Sequence, residues 1–182
     1  MGDGQTQAAS TLTPAPLPQA AEGGSTPAFL PRAAGEGSRV AIDFHFNVDH
    51  PVIYACRVVR KALGNRRTVL VFSRDAQRLA RLDSALWTFS ALDFLPHVYA
   101  DSELADRTPV WLSMTPLADR ARDVLLLLDD EAAPDFDRWF ARFERVVEIV
   151  SNETEDRARA RARFKAYRDR GFAPRFHEIA SA

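Results

Sequence analysis

Between Thr68 and His97 the chain has few conformational options. Val69, Leu70, Val71 and Phe72 are apolar without interruption, and all but Leu70 are β-branched or aromatic. Such a run suits a strand covered on both faces, the kind found in parallel α/β sheets. Ser73 stands where it can cap a helix over roughly Asp75 to Thr88, and Leu79, Leu82 and Leu86 recur at helical steps as its core stripe. A knot of aromatic residues and proline, Phe94-Leu95-Pro96-His97, closes this strand–helix unit.

The same alternation extends in both directions. Val40, Ile42, Phe44 and Phe46 interleave with Asp43 and His45, which predicts a first strand with one polar face, at or near a sheet edge. Asp49 or His50 can then cap a helix with Pro51 in its first turn, the stripe Val52, Cys56, Val59 and Leu63, and Gly64 at its end. Two weaker strands follow the knot, His97 to Ala100 and Val110 to Ser113, and Val124 to Leu128 is again wholly apolar. Phe136, Trp139, Phe140 and Phe143 predict a short helix after Pro134, then come a strand from Val146 to Val150 and a long helix from about Glu153 to Arg170, stopped by Gly171. Strands and helices in alternation with short connections predict a three-layer α/β sandwich around a mostly parallel sheet.

Residues 1–38 differ from everything after them. They hold six of the eight glycines and five of the eleven prolines, with Leu12, Leu17, Phe29 and Leu30 as their large apolar residues, too few to offset the cost of ordering. A disordered leader is expected there, followed by one domain over 39–182. With 46% hydrophobic residues the chain can bury a core, and a net charge of −1 leaves electrostatic recognition to local patches. Cys56 is the single cysteine, which excludes an internal disulfide and any paired-cysteine metal site. With no long apolar run and no signal-like start, a soluble cytoplasmic protein without membrane contact is expected.

An α/β sandwich invites a nucleotide-binding reading, so the loops after the strands decide. Phosphate binding there requires glycines that let backbone amides approach at a helix start. The loops read Asn47-Val48-Asp49, Ser73-Arg74-Asp75, Asp129-Asp130-Glu131 and Ser151-Asn152-Glu153, all without glycine. The fold is therefore expected to be Rossmann-like but without a phosphate-binding loop. Leu125 to Glu131 resembles the acidic strand end that holds magnesium in ATPases, yet that chemistry also needs a GxxxxGK[ST] loop, which is missing; a core strand ending in a solvated acidic turn is expected instead. Asp43, His45, Asp49 and His50 crowd together as metal ligands can, but nothing in the sequence completes their shell, so no metal and no cofactor are expected. Cys56 lies on an apolar helical stripe and reads as core.

The final helix is the unusual element. From Arg157 to Arg175 there are eight basic residues and a single acidic one, Asp169, and Arg157, Arg161, Lys165 and Arg168 share one helical face. Ala160, Phe164, Tyr167 and Phe172 would hold the helix to the sheet. A cationic face beside aromatic side chains suits an acidic peptide or a phosphate backbone.

Several short strings, in order, resemble the chi-subunit family of bacterial DNA polymerase III holoenzyme: Arg81-Leu82-Asp83, Leu86-Trp87, Phe94-Leu95-Pro96-His97, Phe164-Lys165-Ala166-Tyr167-Arg168 and Gly171-Phe172. The likeness covers Arg39 to Phe172 and includes the strand Val146 to Val150; the leader has no counterpart. The resemblance implies a non-catalytic adaptor that attaches the clamp-loader complex to single-stranded DNA-binding protein by gripping that protein's acidic C-terminal tail. It also implies a psi subunit as second partner, with DNA engaged only indirectly. By similarity, Lys165 and Arg161 would meet the tail's carboxylates, and Phe94, Trp87 and Val150 would line a slot for its last apolar side chains. Phe164 stands where the family pattern has a tyrosine, so it would pack without offering a hydroxyl. The alternatives are a module that binds single-stranded nucleic acid directly through the arginine-rich helix and, more remotely, a degenerate nucleotide-binding enzyme.

Overall fold

The computed structural model describes residues 40–90, 94–117, 120, 122–133 and 135–180. The leader over 1–38 and Pro134 lie outside the described residues. The strands are β1 (Ala41–Val48), β2 (Val69–Phe72), β3 (His97–Tyr99), β4 (Val110–Ser113), β5 (Val124–Leu127), β6 (Arg145–Ser151) and β7 (Arg175–Glu178). The helices are α1 (Pro51–Gly64), α2 (Ala76–Thr88), α3 (Phe136–Trp139) and α4 (Thr154–Asp169). The strands form one sheet in the order β3-β4-β2-β5-β6-β1-β7, and every pairing is parallel.

The two faces follow from strand alternation. Val69 and Val71 of β2 and Val124 and Leu126 of β5 pack with α1 and α2, through Val59, Leu79, Leu82 and Leu86. Leu70, Phe72, Leu125 and Leu127 point the other way, onto α3 and α4, where they meet Phe136, Trp139, Ala160 and Tyr167. The central strands are buried on both sides, which is why they lack polar alternation. Cys56 is core, and burial pushes its thiol up to about 11. Among the described residues no helix is long and apolar enough to cross a membrane.

Local chemistry departs from the sequence expectation at the α2 cap and in an unannounced edge strand, β7, and meets it at the near-edge position of β1 and at Gly171. The α2 cap is Asp75, whose carboxylate accepts from Gln77 N and Arg78 N at 2.9 and 3.1 Å; Ser73 instead accepts from Asp75 N at 3.2 Å and donates to Asp129. The first strand is next to the edge, because β7 adds beyond it; β7 is short and largely exposed, so no hydrophobic pattern announces it. Gly171, at φ 83°, closes α4: Phe172 N donates to Tyr167 O at 3.1 Å and Gly171 N to Arg168 O at 2.9 Å. That closure turns the chain back toward the sheet edge, where β7 pairs with β1.

Candidate functional site

A parallel sheet binds ligands where adjacent strands send their connections to opposite faces. Here β2 leads into α2 on one face and its neighbour β5 leads toward α3 on the other, which makes the mouth between them the first place to look. Side chains already fill it. Asp129 accepts from Arg74 N at 2.7 Å and Arg74 Nε at 2.6 Å, while Asp130 pairs with Arg78 at 3.0 and 3.2 Å. The acidic turn is thus an ion-paired plug rather than a solvated end, and Asp129 is buried. Burial alone would raise Asp130, but the hydrogen bond and charge of Arg78 outweigh it and hold the carboxyl below its usual range. A phosphate here would have to displace both pairs and face two carboxylates, which leaves the nucleotide reading without support.

The crowded Asp43, His45, Asp49 and His50 are likewise dispersed among protein partners. Asp43 is fully buried and accepts from Arg145, from Arg175 Nε at 2.9 Å and from His177 Nε2 at 2.8 Å. His45 bonds Tyr54 Oη at 2.9 Å, and burial, with the neighbouring His177, holds its imidazole down to about 4. Asp49 accepts from Asn152, and His50 is the residue preceding α1, without a side-chain cap.

The basic helix opens onto a real hollow. Between α4, β1 and β7 lies a pocket of about 610 Å³ lined by Phe46, Arg157, Arg161, Phe164, Lys165, Arg168, Asp169 and Phe176. Its apolar floor is an aromatic stack: Phe46 lies 4.3 Å from Phe176 at 21°, and Phe44 meets Phe164 edge-on at 5.2 Å. Its wall is the exposed face of α4.

Two classes of arginine occupy α4. Arg163 is buried; its Nε donates to the fully buried Glu148 of β6 at 3.0 Å, and Tyr167 Oη donates to the same carboxylate at 2.5 Å. Burial drives the Glu148 carboxyl upward, opposed by Arg163 and Tyr167. Arg159 pairs with Glu155 and Arg170 with Asp137. By contrast, among the described residues Arg161, Lys165 and Arg168 form no ion pair and no side-chain hydrogen bond, although all three are exposed on the pocket wall. Cations left unpaired beside an aromatic floor are equipped for an anionic, partly apolar guest.

The structure does not bring all the expected residues together. Arg161, Phe164 and Lys165 line the pocket. Val150 is 0% exposed and packs in the core beneath α4, so it cannot line an open slot. Trp87 and Phe94, 57% and 66% exposed, form their own cluster with ring centroids 5.3 Å apart, and Trp87 also lies 4.9 Å from the His97 ring. They stand on the α2 face beside the edge strand β3, whereas the pocket stands on the α4 face beside the opposite edge strand β7. Among the described residues no single slot joins Phe94 and Trp87 to Lys165 and Arg161, because the crossovers β2-α2-β3 and β6-α4-β7 run in opposite directions along the sheet and carry α2 and α4 to opposite faces and opposite edges. Phe46 and Phe176 supply apolar lining of the pocket; Phe46 was readable as a strand residue, and Phe176 carried no signal.

Comparison with known proteins gives the family. Residues 40–175 match the family model for the DNA polymerase III chi subunit, HolC. The DNA polymerase III subunit chi of Pseudomonas aeruginosa is 33% identical over 125 residues, 69% of this chain and 84% of that protein. The subunit chi of Escherichia coli K12 is 30% identical over 118 residues, 64% of this chain and 78% of the relative. That of Haemophilus influenzae is 26% identical over 121 residues, 65% of this chain and 80% of the relative. The chain therefore belongs to the DNA polymerase III chi-subunit family, a family of DNA replication.

Proposed function

We propose that this chain is a non-catalytic adaptor of the replicative polymerase that holds the acidic C-terminal tail of single-stranded DNA-binding protein in the pocket between α4, β1 and β7. The observation that carries this reading is the set of exposed, unpaired cations Arg161, Lys165 and Arg168 beside the phenylalanines Phe46, Phe164 and Phe176. Arg161 and Lys165 meet the tail's carboxylates, and the phenylalanine floor takes its last apolar side chain. A charge-assisted hydrogen bond contributes about 1.5–3 kcal/mol and burial of a phenylalanine-sized group about as much. Ordering a flexible tail subtracts from this sum, so affinity in the micromolar range, weakened by salt, is the expectation.

An adaptor needs a second attachment that leaves the first free. The exposed Trp87–Phe94 pair, on the other face and at the other edge, serves that role toward the psi subunit or the clamp-loader complex. The pairing of exposed aromatic area with distance from the cationic pocket supports this division.

The test is fluorescence anisotropy with a labelled tail peptide, run beside a thermal melt. Lys165→Glu weakens tail binding by at least ten- to hundredfold and leaves the melting temperature within a few degrees, because Lys165 is an exposed helix residue. Unchanged affinity removes the pocket from the mechanism. A second reading, direct binding of single-stranded nucleic acid, is favoured by the same juxtaposition of exposed Phe176 with a row of cations, which could stack a base and neutralise phosphates. Titration with an oligothymidylate, in the absence of any partner protein, separates the two.

A further inference from the structure

The pocket's least secured wall is β7. This edge strand touches the sheet through β1 alone, and Arg175, Phe176 and Glu178 are exposed. Its alternation divides the labour. Arg175 and His177, in register with Asp43 and His45, turn to the α1 face, where both bond the buried Asp43 carboxylate; Phe176, in register with Phe44, turns to the α4 face and enters the pocket. A second tie comes from Asn47, which donates to Glu178 at 2.7 Å and accepts from Arg157 of α4 at 2.7 Å. The strand is held by polar contacts, while its one large apolar residue is left 59% exposed over the pocket. An exposed phenylalanine stacked on a buried one, at the rim of a cationic hollow, is apolar area awaiting a cover.

We propose that β7 is the jaw of the pocket: Phe176, backed by the Phe46 ring it stacks on, covers the tail's terminal apolar side chain with its exposed face, and Asp43, through Arg175 and His177 on the reverse side of the sheet, is the positioning residue that fixes the jaw. The occupant is an acidic peptide ending in an apolar residue, chosen by charge complementarity to the unpaired cations; this rests on the tail-binding reading above. Asp43 is well placed for such a latch. Burial alone would raise its carboxyl, but the His177 hydrogen bond and the charges of Arg145 and Arg175 outweigh that and keep it ionised.

The experiment uses the full chain and a labelled aspartate-rich peptide ending in phenylalanine with a free carboxylate, titrated across a salt series. Phe176→Ala weakens binding about tenfold, and Phe176→Leu recovers most of the loss. Asp43→Asn and the milder Arg175→Gln weaken binding without changing the salt slope, since the pocket cations remain; hydrogen exchange shows the β7 amides opening while those of β5 and β6 stay protected. Arg175→Gln, at a half-exposed side chain, keeps the test open if Asp43→Asn fails to fold. Lys165→Glu is the control. If it loses binding while Phe176→Ala and Arg175→Gln bind like the parent, the jaw is wrong and the pocket reading stands. If Lys165→Glu also leaves affinity unchanged, the tail reading falls and the jaw with it.

Discussion

At one edge of the sheet exposed phenylalanine is surrounded by arginine and lysine; at the other, Trp87 and Phe94 lie against each other and His97, with the Asp83 carboxylate 3.3 Å from that histidine. The second exposes more aromatic surface, two rings more than half exposed against Phe176 at the first. Unpaired cations line the first, whereas an aspartate–histidine contact flanks the second, and charge rather than apolar area decides which partner each can select. The two are also anchored differently: α4 is clamped by the buried Glu148–Arg163 pair, whereas α2 rests on the leucine stripe Leu79, Leu82 and Leu86. A molecule with both surfaces can hold two partners at once.

The largest expected effect probes the anchoring. Arg163→Ala leaves Glu148 buried without its cation and should cost about 3–5 kcal/mol in urea unfolding. A cost below about 1 kcal/mol would mean that α4 is held by packing alone. Next comes pH. Burial, aided by His177, lowers the His45 imidazole from 6.5 to about 4, so the unfolded chain takes up a proton that the folded one refuses. Its contribution is complete above about pH 6.5 and fades as pH falls toward 4, by roughly 3 kcal/mol in all. Asp43, held low, adds a loss in the same direction as pH falls below the ordinary carboxyl range. Denaturation midpoints measured across that window should fall with acidity, and His45→Asn should flatten the profile; an equal slope in the variant contradicts the assignment.

Smaller effects separate the two surfaces directly. Lys165→Glu should weaken the acidic tail by at least ten- to hundredfold, the equivalent of about 1.5–3 kcal/mol, while Phe94→Ala leaves that affinity within about twofold. The smallest change is in stability: Trp87→Ala and Phe94→Ala should each shift unfolding by about 1 kcal/mol or less, since both side chains are more than half exposed. A cost of several kcal/mol would make the pair core rather than docking surface.

The apolar runs Val69–Phe72 and Val124–Leu127 were legible because burial on both faces leaves a strand no polar positions. The α2 stripe was legible through its helical period. β7 was not, because Arg175-Phe176-His177-Glu178 has no apolar run, and its partners on β1, Asp43 among them, lie far away in sequence. The cationic residues of the site were readable as one helical face, and Arg161, Phe164 and Lys165 do share the pocket. The grouping of Trp87 and Phe94 with them fails for a physical reason: spacing along the chain places residues on a helix or strand, but crossover direction decides which face that element covers; Val150 is on the α4 face but fully buried beneath it. Arg163 shows the same limit, since a basic residue on a basic helix looks solvated until its buried partner Glu148 is located.

The central claim is that the acidic tail sits on the α4 face and nowhere near Trp87. Chemical-shift mapping of the isotope-labelled protein during titration with the tail peptide tests this most directly. The account predicts saturable shifts at Phe46, Arg161, Phe164, Lys165 and Phe176, with the Trp87 indole unmoved. Shifts centred on Trp87, Phe94 and His97, with α4 unchanged, would contradict it.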